Sequence, residues 1–180
     1  TRVQCSLDDE FMLVSVPDER ESFRVNGDRM TPGISVSNSE VGLAALSIST
    51  FTLRLVCTNG MISKTAVSAS YRHVSSKLLS NLPGVLNELR EGFGQQREQF
   101  QISLESKVEN PEATIESFNR QFELRKEEKE AVDWALAQEY GFTMFSVVNT
   151  YTRAAQYELL TAESRFRLQK VGGMVLGMVN

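Results

Sequence analysis

The sequence predicts an α+β fold: an antiparallel sheet of about four strands in the N-terminal 70 residues, packed against a C-terminal set of four to five helices. Three observations carry this. The hydrophobic period is 2 up to about Ser75 and 3.6 beyond it. Strand-like and helix-like segments are segregated along the chain, which excludes alternating βαβ winding. The chain has 180 residues, 41% hydrophobic and 23% charged, an ordinary globular composition too apolar for disorder. Residues 1–180 therefore read as a single domain, with a β-rich part over 1–75 and a helical part over 76–180.

The elements follow in order. Glu10 to Val16 is a short apolar run ended by Pro17-Asp18, a strand and a turn. Phe23-Arg-Val25 alternates before a turn at Asn26-Gly27-Asp28, and Pro32-Gly33 reads as another turn before Ile34 to Ser37. The longest strand signal is Phe51 to Cys57, with Phe51, Leu53, Leu55 and Cys57 on one face and Thr52, Arg54 and Thr58 on the other. Leu46 and Ile48 have the opposite parity, so a bulge near Ser49-Thr50 is expected. Asn59-Gly60 is a strong hairpin signal, but a two-residue turn there would place Lys64 on the apolar face. Either that edge is half exposed or the turn is of another kind.

The helical half opens with Pro83 in a first turn and a stripe through Val85, Leu86, Leu89, Phe93, Phe100, Leu104 and Val108. Gly92 and Gly94 weaken its middle. Asn110-Pro111-Glu112 restarts a helix, with Asn as cap, Pro at the first position and an acid in the first turn. Lys126 to Glu130 reads as a charged surface turn ahead of Val132, Trp134 and Leu136. Tyr140-Gly141 stops that helix, Met144 to Ala155 is amphipathic, and Thr161 opens the last helix. Gly172-Gly173 allows a close approach of helices, within the chain or between subunits.

Charge and chemistry narrow the function classes. Nineteen basic residues against 23 acids give −4, which excludes a globally basic nucleic-acid binder but not a local basic face. Two cysteines make no disulfide framework, and one histidine with them cannot complete a zinc site. Cys57 reads as a small buried hydrophobe, and Asp8, Asp9 and Glu10 as a solvated approach to a strand, not a magnesium site. Gly92-Phe-Gly94 lacks the lysine of a phosphate-cradling loop. No nucleophile with its base is evident, so catalysis is disfavoured and no cofactor or metal is expected. The longest apolar stretch, Val171 to Val179, is too short to span a bilayer, and a cytoplasmic location is the expectation.

One window stands apart. Between Glu40 and Glu88 there is no acidic residue, while Arg54, Lys64, Arg72 and Lys77 contribute +4 and His73 adds charge at mildly acidic pH. The window is also rich in serine and threonine, residues suited to phosphate contacts and equally to a solvated sheet face. Arg54, Lys64, Arg72, His73 and Lys77 are the candidate nucleic-acid contacts, lining a groove on the polar side of the Phe51–Cys57 strand.

Gly33 to Gly42, containing Asn38-Ser-Glu-Val-Gly42, followed by Leu53-Arg-Leu-Val-Cys-Thr-Asn-Gly-Met61, resembles the domain-of-unknown-function 932 family of phage/plasmid-like proteins. The similarity continues through Tyr71-Arg-His73, Asn149-Thr-Tyr-Thr152 and Gly172-Gly173. Thr1 in place of Met, and the greater length of family members, point to the C-terminal portion of a longer protein. The resemblance implies a context, mobile-element DNA metabolism, and no catalytic residues. The expectation is thus a non-catalytic DNA-associated protein that binds or anneals single strands. The alternative is an oligomeric scaffold without a nucleic-acid role; a homo-oligomer is expected in either case, and no membrane partner.

Overall fold

The computed structural model describes residues 3–7, 9, 11–39, 46–54, 59–62, 69–71 and 76–179. It is α+β, with strands β1 (Gln4–Leu7), β2 (Met12–Pro17), β3 (Phe23–Val25), β4 (Asp28–Asn38), β5 (Leu46–Arg54), β6 (Asn59–Ile62) and β7 (Ala69–Tyr71). Helices α1 (Ser76–Glu105), α2 (Pro111–Gln121), α3 (Lys126–Glu139), α4 (Met144–Ala154) and α5 (Ala162–Gly177) follow. The described strands form one antiparallel sheet ordered β1-β2-β4-β5-β6, with β3 also on β4 and β7 also on β5.

The sheet has more strands than expected: β1 adds an edge strand, and both neighbours of the central pair are interrupted. On one side of β4, Pro17 faces Gly33 and Phe23 faces Met30, so residues 18–22 stand opposite only Thr31 and Pro32. The excess is taken up by a 3-10 turn at Glu19–Glu21. On the far side of β5, Ile62 faces Phe51 and Ala69 faces Ile48, so residues 63–68 separate β6 from β7.

This arrangement corrects two expectations. Pro32-Gly33 is no turn but lies inside β4. Asp18 N–H donates to the Pro32 carbonyl at 2.7 Å, so the side of Pro32 that lacks an N–H faces the interruption, where no ladder bond is lost. Gly33 is required by crowding, since a Cβ would stand 2.5 Å from the Phe51 ring and 2.7 Å from Pro17 Cα. Asn59-Gly60 lies within β6, with Arg54 opposite Asn59 and Leu53 opposite Gly60; the connection is 55–58, which lies outside the described residues. The two-residue turn is Asn26-Gly27 instead, with φ of +49° and +83° joining β3 to β4.

No bulge interrupts β5 against β4, which pairs in one register from Met30–Arg54 to Ser37–Ser47. The parity change has another cause: both faces of the sheet are buried. Phe51 and Leu53 pack with Phe11, Leu13, Ala162 and Phe166, so α5 covers their face. Thr50 and Thr52 are buried beneath α1 on the other.

In the helical part, Asn110 caps α2 by accepting from Ala113 N–H at 2.9 Å, and Thr143 and Thr161 cap α4 and α5. Pro83 lies well inside α1, which begins at Ser76. Lys126 to Glu130 is the first turn of α3, not a surface turn ahead of it. Glu128 is fully buried there, accepting from Arg125 N–H and from Arg167 Nε, both at 2.9 Å. Tyr151, fully buried at the centre of the core, has its hydroxyl 2.9 Å from Asn119 Oδ1 and 3.1 Å from the Ile115 carbonyl. Burial pushes its pKa above the ordinary tyrosine value. Gly172 lets α5 approach α4, since a Cβ would meet Thr152 Cγ2 at 2.8 Å. None of the described helices is long and apolar enough to cross a membrane.

Candidate functional site

The face chosen for a phosphate groove is the one beneath α1. Thr52 Oγ1 donates to Gln96 Oε1 at 2.7 Å, and Gln96 Nε2 donates to Thr50 Oγ1 at 3.1 Å. These hydroxyls are spent on satisfying a buried glutamine, which would otherwise cost stability in a helix–sheet interface.

Arg54 ends β5 on that same face and is tied up as well. Its Nε donates to Asp28 Oδ2 at 2.6 Å and its Nη1 to Glu139 Oε2 at 2.8 Å. Asp28 is two residues along from Met30, the direct partner of Arg54, so the sheet register brings it alongside. Glu139 arrives from the last position of α3. The guanidinium also lies over the Phe145 ring, 5.9 Å from its centre. Only 14% of the Arg54 side chain is exposed. Burial works against its charge, but the bonds to Glu139 and then Asp28 outweigh that and raise its pKa above the ordinary value. Arg54 is therefore a clamp between sheet and helices, with both terminal partners carboxylates, and is removed from the set of phosphate contacts.

Lys64, Arg72 and His73 lie outside the described residues, as do Cys57, Asp8 and Glu10. Lys77 occupies the first turn of α1, where the backbone alone is described. In chain order Lys64 falls between β6 and β7, and Arg72 and His73 between β7 and α1. Asp9 is exposed, and no cluster of three or more metal-ligating side chains occurs among the described residues.

Sequence reasoning missed a groove of about 690 Å³ between the N-terminal half of α1 and the sheet. Val16 and Ile34 line one wall, Pro83, Leu86 and Arg90 the other. Asp18 pairs with Arg20 at 2.8 Å and Arg90 at 3.8 Å, and the Arg20 hydrogen bond lowers its pKa below the ordinary carboxylate value. With Glu19 also on the rim, acids and bases balance, so this groove offers no potential for polyanions. A shape of this kind depends on where a helix crosses a sheet, for which no local motif exists.

No family model, curated protein or solved structure matches the chain.

Proposed function

We propose that the protein is a non-catalytic DNA-associated protein of a mobile genetic element that binds single strands through Lys64, Arg72, His73 and Lys77. The observation carrying this reading is that the stretch without acids, Val41 to Asn87, supplies β5, the edge strands β6 and β7 and the start of α1. Its cations other than Arg54 fall, in chain order, between β6 and β7, between β7 and α1, and in the first turn of that helix. Cations without interspersed carboxylates suit contacts to a phosphate backbone, which position a strand without reading its sequence. The mobile-element context rests on the motifs at Asn38 to Gly42 and Leu53 to Met61 alone, since no family model matches the chain. The test is fluorescence anisotropy of a labelled oligothymidylate at low ionic strength. Lys64→Gln, Arg72→Gln and Lys77→Gln each weaken binding by a similar factor, and the triple variant abolishes it. A triple variant that binds as the parent does overturns the reading.

A self-associating scaffold is the second reading. It is supported by the half-exposed aromatic pair Tyr140 and Phe142, packed edge to face with ring centres 5.6 Å apart. Light scattering across a concentration series decides it: a fixed monomer mass is the result against it.

A further inference from the structure

On the sheet face opposite α1, a second pocket of about 420 Å³ opens between the first strands and the connection from α4 to α5. Its polar lining is Gln4, Cys5 and Ser15 from β1 and β2, and Gln156, Arg165 and Gln169 from the helical side. Arg165 is the one permanently charged side chain in that lining. Its Nε donates to the Leu160 carbonyl at 3.2 Å, Nη1 to the Ala155 carbonyl at 3.0 Å and Nη2 to the Glu158 carbonyl at 3.2 Å.

Main-chain carbonyls fix the orientation of a guanidinium without neutralising it. Three of its five N–H groups are used, which leaves one on each terminal nitrogen. Arg54 and Arg167 are each met by a carboxylate; among the described residues Arg165 is met by none. A second observation lies beside it. Ser35 and Ser37 are 0% and 1% exposed, and their hydroxyls have no hydrogen-bond partner. In the β2–β4 ladder they stand directly opposite Ser15 and Leu13, both of which line the pocket, and so share its face. Both serines are buried behind the lining and not in it, so the polar character of the pocket itself comes from Gln4, Ser15, Gln156, Arg165 and Gln169.

We propose that this pocket binds a small oxyanion, a phosphate or carboxylate group on a compact polar ligand. Arg165 supplies the charge and its two remaining N–H donors, and Ser15 with the carboxamides of Gln4 and Gln169 supplies neutral ones. The site lies on the opposite face of the sheet from Arg54 and is independent of the proposed strand binding.

Cys5 is exposed and lines the pocket, so it reports occupancy. The full chain is treated with N-ethylmaleimide in chloride, inorganic phosphate or citrate at matched ionic strength, and peptide mass mapping separates Cys5 from Cys57. Phosphate or citrate is expected to slow Cys5 modification saturably; protection by phosphate alone identifies a phosphoryl ligand, and by citrate alone a carboxylate. Arg165→Gln and Gln169→Leu each weaken the apparent affinity about tenfold, the loss expected for a hydrogen bond to a charged group. Gln169→Leu leaves the three carbonyl contacts of Arg165 in place, so it carries the test if Arg165→Gln loosens the connection to α5. Equal modification rates in all three salts, or protection that Gln169→Leu and Arg165→Lys leave unchanged, overturn the proposal.

Discussion

Arg54→Met tests whether the charge at the end of β5 is a clamp or a ligand contact. The substitution keeps much of the aliphatic bulk and removes both charge-assisted bonds, at 2.6 and 2.8 Å. It leaves Asp28 and Glu139 with side chains only 17% and 11% exposed. Glu139 retains Arg153 at 3.5 Å, a longer contact. Hydrogen bonds to charged groups contribute about 1.5–3 kcal/mol each, and partial solvation of Asp28 softens the loss, so about 3 kcal/mol is expected. For a domain of this size that lowers the melting temperature by roughly 6–12 °C. Thermal unfolding followed by circular dichroism measures it, and Asp28→Asn in a double-mutant cycle isolates the shared part. Oligonucleotide affinity below the melting transition is expected to stay within about twofold, since no phosphate contact is lost. A loss of stability under about 1 kcal/mol, or a tenfold loss of affinity at unchanged stability, refutes the clamp.

Three further outcomes follow from the core. Gly33→Ala drives a methyl into the Phe51 ring and Pro17 and costs roughly 3 kcal/mol, seen as a shifted denaturant midpoint with unchanged slope. Tyr151 has its pKa raised by burial, so the folded state favours the neutral phenol. Stability is complete below the ordinary value of about 10 and falls as pH rises above it, and Tyr151→Phe flattens that alkaline decline in urea unfolding at pH 8 to 11 while costing about 1 kcal/mol at neutral pH. Glu128→Gln leaves Arg167 without its buried carboxylate and costs about 3 kcal/mol by the same urea assay, against little change for Glu127→Gln on the exposed face.

The sequence made local features legible and long-range ones illegible. Asn110-Pro111, Thr161 and the stripe Leu89, Phe93, Phe100 signal caps and buried faces within a few residues, and the structure has them there. The segregation of strands from helices is likewise a matter of period alone. Pro32-Gly33 makes no turn because proline and glycine are breakers only where their neighbours pair; here one faces an interruption and the other a crowded crossing. Arg54 looked free because its acids lie far along the chain, Asp28 on the next strand and Glu139 at the end of α3. An acid-free window in sequence is no guarantee of an acid-free surroundings in space. The surroundings of Arg165, in the acid-free stretch after Glu163, are illegible for the converse reason: nothing local reveals that three carbonyls and no carboxylate will meet it.

The salt dependence of oligothymidylate binding by the parent chain tests the central claim most directly. Three permanent cations on single-stranded phosphates predict a slope of about −2 in log affinity against log salt. Affinity that is absent at low ionic strength, or insensitive to salt, contradicts a phosphate-binding edge.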